Sequence, residues 1–271
     1  MSLENVSIRD VLYEAPGPKT RMKIRIATAI SIVIMIGLLA VIVRQFYITG
    51  QLKTKYWSFY GRVTTWLFLG KGLLGTLKVA VISGVIAFLT GMLLMMGRIS
   101  KSKLLNGVSA VIIEFSRGVP TLLFIYFFFL VAPQFGLKLP AFWKISVPVA
   151  LSATGVVAEV LRSGVNAVPK GQTEAAFSLG MTNRSVFFKI VFPQAFMYVI
   201  PALIAEIVIV LKDTTFAYVV NYSDLMQNSK VLISNYDALL SVYLVTAIIY
   251  ILINYMLNRI SVKLAGKNPL F

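Results

Sequence analysis

IATAISIVIMIGLLAVIV, residues 26–43, holds no charged side chain. A helix rises about 1.5 Å per residue, so this run covers most of a hydrocarbon core about 30 Å thick. In lipid such a helix satisfies its own backbone polar groups. Lys19, Arg21, Lys23 and Arg25 precede it and suit anionic headgroups. A cleavable signal would have a shorter apolar core and a small-residue cleavage site; Gln45, Phe46 and Tyr47 stand there instead. The run reads as an uncleaved span with its N-terminus in the cytoplasm.

Outward from this run the pattern repeats. Apolar stretches cover 73–97, 104 to beyond 129, 143–161, 190–211 and 238–258, with Arg117, Gly118 and Pro120 interrupting the second of these. Six spans from a cytoplasmic N-terminus place 98–103, 170–189 and the segment with Arg259, Lys263 and Lys267 inside. All three are basic, as orientation by positive charge requires. One connector dissents. Residues 45–71 fall outside yet carry Lys53, Lys55, Arg62 and Lys71. Their neighbours Tyr56, Trp57, Phe59, Tyr60 and Trp66 suggest an amphipathic helix lying in the interface.

Composition agrees with lipid as the solvent. Of 271 residues, 58% are hydrophobic and 13% charged, and mean hydropathy is +0.83. A soluble domain carries about a quarter charged residues. The formal net charge is +16, but the basic residues fall beside apolar runs, which argues against a nucleic-acid partner. The chain has no Cys and no His. This excludes disulfides, thiol nucleophiles, Cys/His zinc sites and histidine acid–base chemistry. The acidic residues are too few and scattered for a carboxylate-bound metal, so neither a catalytic nor a metal site is expected. No inverted repeat of the kind common in secondary carriers is visible.

The longest polar interruption is RSGVNAVPKGQTEAAFSLGMTNRSVFFK, residues 162–189. Pro169 and Gly171 punctuate it before Glu174-Ala175-Ala176-Phe177, which favours helix, and Gly180 ends that stretch. Thr182 or Asn183 can cap a second short helix running from Arg184 towards Val191. Two short helices joined at a glycine would then lie along the membrane face. Small alanines permit close approach, Phe177 suits a pocket, and Gln172 and Glu174 can hydrogen-bond a partner. On chemistry alone, a docking surface and an ordinary connecting loop stand level.

The run AEVLRSGVNAVPKGQTEAAFSLGM at 158–181, followed by Ile190 and Phe192-Pro193-Gln194-Ala195, resembles the EAA loop of ABC-transporter permeases. It is most similar to the polar amino-acid uptake family. Three further stretches match that family: GLLGTL at 72–77, Arg117-Gly118-Val119-Pro120, and Lys212-Asp213-Thr214-Thr215. The family usually has Thr where Val119 stands and Ser where Thr215 stands. The stretch at 11–19, VLYEAPGPK, also resembles glutamate-uptake permeases of actinobacteria.

The resemblance implies an all-α integral membrane protein of six transmembrane helices, the last five forming a type I ABC importer permease core. Residues 1–22 would be a cytoplasmic tail, 23–71 an additional span with its connector, and 72–271 the core with a coupling loop at about 163–190. Gly171, Gln172, Glu174, Ala175, Ala176 and Gly180 would meet a cytoplasmic ATPase. No GxxxxGK[ST] loop is present, so that partner would bind ATP and Mg while this chain carries no cofactor. The other expected partners are a second permease subunit in a heterodimer and an extracytoplasmic substrate-binding protein. The implied location is a bacterial plasma membrane with both termini cytoplasmic. A membrane-embedded enzyme and a stand-alone secondary carrier are the rival readings.

Charges at membrane depth are costly and usually face a cavity or the protein interior. Glu114 with Arg117, and Glu159 with Arg162, stand three apart and can meet on one helical face. Each is either a self-neutralising pair or part of a substrate path. Arg117 and the backbone freed around Gly118 and Pro120 suit a substrate α-carboxylate. Glu159 suits an α-ammonium or simply holds Arg162. Glu206 is either a path group or an interhelical contact. Lys212 and Asp213 either meet the binding protein or form a solvated pair. The aromatic run 124–129 reads as packing.

Overall fold

α5, Ala141–Ala167, is the helix against which Val63–Arg98, Lys103–Gly118 and Phe192–Asp213 pack. Small residues spaced along it, including Ala150, Ala153, Thr154, Gly155, Ala158 and Gly164, are buried and let neighbouring backbones come close. We describe the chain from a computed structural model covering residues 17–265. The expected motif at 11–19 before Gly17, most of the tail 1–22, and Lys267 lie outside the described residues. The described residues are helical apart from turns and short connections.

The chain divides into two compact units, Met1–Thr54 and Lys55–Phe271. In the first, α1 spans Pro18–Ile48, with Pro18 at the start where a missing N–H costs nothing. Its 31 residues exceed the apolar run by just over two turns at the N-terminal end. The helix therefore carries Lys19, Arg21, Lys23 and Arg25 on its first turns, where headgroup-level charges belong.

Two 3-10 turns follow, Thr54–Tyr56 at the boundary and Ser58–Gly61 inside the second unit, and α2 starts at Val63 and runs to Arg98. The interfacial helix expected across 45–71 is not formed. Phe59 stacks on Tyr236 with centroids 4.4 Å apart, and Trp66 donates to the Tyr60 carbonyl at 2.8 Å. These contacts hold the aromatics in a folded corner. α3, Lys103–Gly118, ends at the Gly-Pro break, and the following Thr121–Phe135 turns away by 95°; its first part is α4, Thr121–Tyr126. Among the described residues, five helices are long and apolar enough to cross a membrane, or six with this bent pair taken as one.

After α5 come α6, Lys170–Ser178, and α7, Asn183–Val186. α8, Phe192–Asp213, continues as a 3-10 turn to Val220. α9, Leu225–Tyr236, and α10, Leu239–Ala265, complete the unit. α2 and α5 run parallel. Ser83 Oγ donates to the Ser146 carbonyl at 2.9 Å, and the Thr90 and Thr154 hydroxyls meet at 2.7 Å. Such a membrane hydrogen bond contributes about 0.6 kcal/mol on average. At Gly91 a Cβ would come within 3.0 Å of the Thr154 carbonyl oxygen, so only glycine allows this approach.

α8 returns antiparallel to α5: Gly164 lies against Ala195 and Val199. The C-terminal end of α2 and the loop bearing α6 and α7 therefore share one end of the bundle. At the opposite end α9 docks on α2. Thr76 Oγ1 accepts from the Leu225 amide at 3.1 Å, and Asn228 donates to the Phe68 carbonyl at 2.7 Å. The GLLGTL motif explains this contact, because side chains at Gly72 and Gly75 would strike the Asp224 and Ser223 carbonyls.

Candidate coupling and translocation sites

α6 starts after Pro169 and ends in a glycine cap. The Gly180 amide donates to the Phe177 carbonyl at 2.9 Å and the Met181 amide to Ala176 at 3.2 Å. Gly180 has φ +75°, the left-handed geometry this Schellman motif requires. Thr182 then caps α7 by accepting from the Ser185 amide at 3.3 Å. The first short helix and its glycine joint lie where the sequence located them; the second is not separate, because α7 opens a helix that runs on from Asn183 to Val220.

Gly171, Gln172, Glu174, Ala175 and Gly180 are exposed. Ala176 points the other way: it is 4% exposed and packs with Val168, Val186, Val191 and Ala195. It anchors the helix and does not offer its side chain outward. Leu179, which the sequence reading left unnamed, is 83% exposed beside Phe177. Gln172 accepts from Gln194 of α8 at 3.5 Å, and Gln194 also donates to the Ile190 carbonyl at 2.9 Å. These bonds connect α6 to the start of α8. A cavity of about 350 Å³ behind α6 is lined by Lys170, Thr173, Phe177, Asn183 and Phe187 among others.

The two charge pairs differ. Arg162 reaches Glu159 through Nε at 3.0 and 3.1 Å and through Nη2 at 2.7 Å. Arg117 and Glu114 approach only to 3.9 Å, with side chains 44% and 76% exposed. That separation makes a loose ion pair. Arg117 packs its stem against Gly155 of α5, one turn before Glu159.

The break after Gly118 is pinned on both sides. Ser116 Oγ donates to the Leu151 carbonyl and accepts from the Gly155 amide at 3.0 Å. Thr121 donates to Asp213 at 2.7 Å and meets the Ser152 hydroxyl at 2.8 Å. Asp213 is therefore not one half of a solvated pair with Lys212. Glu206 is 6% exposed. It contributes to the lining of an open apolar cleft of about 660 Å³, with Ala80, Phe88, Val157 and Leu203 among the other residues. No hydrogen bond to its carboxylate is found among the described residues. These features put two chemically distinct faces on one bundle, with a short helix presented at one end.

Residues 87–266 match the family model of the binding-protein-dependent transport system inner membrane component. The chain belongs to this family. The permease is 35% identical over 219 residues to a glutamate transport system permease protein of Corynebacterium glutamicum, covering 79% of this chain and 80% of that one. It is 32% identical to a probable glutamine ABC transporter permease protein of Bacillus subtilis, covering 70% and 89%. A chain in the crystal structure of an amino acid ABC transporter with histidines superposes with a TM-score of 0.72. That match has 28% identity and covers 78% of this permease and 98% of that chain. The resemblance carried by the four motifs is borne out. The permease is a multi-pass, pore-forming subunit and not itself an enzyme. Its family works with an ATPase and a substrate-binding protein.

Proposed function

We propose that this permease carries a polar amino acid, with L-glutamate the leading candidate, from an extracytoplasmic binding protein to the cytoplasm by alternating access. The glutamate assignment rests on the Corynebacterium glutamicum relative and on the N-terminal resemblance. The end bearing α6 is cytoplasmic, and with it both termini. There Gly171, Gln172, Glu174, Ala175 and Gly180, joined by Phe177 and Leu179, sit in a groove of the ATPase, which supplies the ATP and Mg. The heterodimer with a second, shorter permease belongs to this reading.

The observation that carries the reading is α6 itself. It is a short helix with an exposed carboxylate and small side chains, closed by Gly180 and tied back to α8 through Gln172 and Gln194. ATP must favour one of two membrane arrangements through contacts that differ between them, and this link transmits the difference. Arg117 and the break at Gly118 meet the substrate carboxylate, while Glu159 and Glu206 are the acidic groups along the path. Glu206, with no hydrogen bond in its apolar cleft among the described residues, is open to a cationic group at a different point of the path, because it lies across α5 from Arg117.

Glu174→Arg tests the coupling in the full transporter reconstituted in vesicles. The variant should insert normally and lose ATP-driven uptake at least tenfold; normal uptake with normal ATPase association would sink the assignment. Competition among glutamate, aspartate, glutamine and arginine for uptake identifies the substrate. Uptake driven by an ion gradient without the ATPase would overturn the whole reading.

A further inference from the structure

Behind α6, four polar side chains converge on one cavity without engaging each other. The space of about 350 Å³ is lined by Asn166 at the end of α5, Lys170 and Thr173 of α6, and Asn183 at the start of α7. Polar neighbours are engaged: Gln172 meets Gln194, Ser178 donates to the Glu174 carbonyl at 3.1 Å, and Thr182 caps α7. Asn166, Lys170, Thr173 and Asn183 have no side-chain hydrogen bond or ion pair among the described residues.

An ammonium, two carboxamides and a hydroxyl can all donate. Lys170 is the one charged residue of the lining, and no carboxylate contributes to it. Glu174 is the single acid between Arg162 and Glu206 in the sequence, against Lys170, Arg184 and Lys189. The cavity therefore suits a negative group with several acceptor oxygens, which describes a phosphate; no lining carboxylate is there to meet an ammonium.

The rest of the wall is apolar and set by packing. Val168, Val186 and Val191 are buried in one cluster, and Phe187 meets Phe188 with centroids 5.1 Å apart. Phe187 opens a π-helical turn, Phe187–Val191, between α7 and α8, and such turns recur at functional sites. Lys170, Thr173 and Phe177 form the stripe of α6 that lines the cavity. It lies roughly 130° round the helix from Gly171, Ala175 and Ser178 at about 100° per residue, so an occupant leaves that side of α6 free. The cavity sits where the spans give way to the polar stretch 162–189, at the depth of headgroups. Basic pockets between helices at a cytoplasmic surface take anionic headgroups.

We infer that this cavity binds the phosphate of an anionic phospholipid, its apolar wall receiving the glycerol end of the acyl chains. Only the choice of the cytoplasmic leaflet rests on the transport reading; the cavity and its donors do not. A phosphate held there joins the end of α5 to α6 and α7, across the coupling loop.

Native mass spectrometry of the complete transporter in neutral detergent, with phosphatidylglycerol or phosphatidylcholine titrated in, tests this. The wild type should retain phosphatidylglycerol in preference to phosphatidylcholine. Lys170→Gln should weaken that retention about tenfold, as loss of a charge-assisted hydrogen bond does. Thr173→Phe, which fills the cavity and keeps every cation, should weaken it as much. Lys189 is outside the lining, and Lys189→Gln should change retention little. Equal binding of phosphatidylglycerol by wild type, Lys170→Gln and Thr173→Phe would overturn the inference, while ATP-driven uptake by the wild type would leave the transport reading intact. A loss in Lys189→Gln equal to that in Lys170→Gln would reduce the effect to general surface charge and overturn it too. Displacement of the lipid by millimolar inorganic phosphate would uphold the phosphate site and overturn the lipid as its source.

Discussion

Around α5, the face bearing Gly155, Glu159 and Arg162 and the face bearing Ala153, Val157 and Gly164 lie roughly 180° apart at about 100° per residue. On the first, Glu159 is gripped by a guanidinium one turn along the same helix, beside the looser pair from α3. On the second, the walls are apolar, and Glu206 of α8 contributes to them with no hydrogen bond to its carboxylate among the described residues. The difference concerns what each acid needs. Glu159 is answered by its own helix, so its charge is compatible with lipid depth in every state of the protein. Glu206 is not answered, and a buried carboxylate of this kind awaits a proton, a cation or an ammonium group. One face is self-sufficient and the other is receptive.

The largest expected effect tests the self-sufficient face. Arg162→Gln strands Glu159, whose side chain is 23% exposed against 36% for Arg162. A broken buried pair costs about 3–5 kcal/mol and an exposed one about 0–1. This half-covered pair should lose about 1–3 kcal/mol on that scale. Denaturant unfolding of the purified permease in detergent measures it. Adding Glu159→Gln to the same chain should restore more than half of the loss, because no unpaired charge is left. A double variant as unstable as the single one would mean that Arg162 stabilises through something other than Glu159.

Much of this contrast is legible in the sequence, and the illegible part has a definite cause. The spacing of Glu159 and Arg162 is local, so three positions on a helix suffice to pair them. The bend after Gly118 and the short helix ended by Gly180 follow from Gly and Pro backbone chemistry, again local. What escapes is contact between distant segments. Asp213 looks solvated beside Lys212 until Thr121, 92 residues earlier, turns its hydroxyl towards it. The 45–71 connector reads as an interfacial helix because its aromatics recur, yet Phe59 is claimed by Tyr236 and the helix never forms. Ala176 sits among letters that suggest docking, but the turn of α6 carries it into the interior. Glu206 is visible as a lone acid in an apolar run; only the assembled helices reveal that no hydrogen-bond partner meets it among the described residues.

The receptive face gives a smaller stability effect and a larger functional one. Glu206→Gln removes a desolvated carboxylate and no hydrogen bond, so unfolding should be unchanged or stabilised by about 1 kcal/mol. Uptake at a fixed low substrate concentration should fall about tenfold or more, the loss expected when a charge-assisted contact is removed. The two readouts must separate. A stability loss as large as that of Arg162→Gln would give Glu206 a structural partner and collapse the distinction between the faces.

Asp224 provides the finest comparison, since it is a buried carboxylate outside the spans and answered by amides. Its oxygens accept from Gln227 at 2.7 Å and Met226 at 3.1 Å, capping α9. Burial nonetheless pushes its pKa from an ordinary 3.8 up to about 6, the cap amides offsetting only part of that. The folded state therefore holds the proton more tightly than the unfolded chain. The stabilisation from that proton is complete below about 3.8 and is lost as pH rises through about 6. Wild-type unfolding in detergent should show this decline between the two values. Asp224→Asn keeps an equally good cap and should flatten the profile over the same window. Asp224→Ala should also flatten it but sit about 1 kcal/mol lower throughout, having lost the cap. If the Asn variant kept the wild-type slope, the titrating group would lie elsewhere, and amide capping would have answered Asp224 as fully as Arg162 answers Glu159.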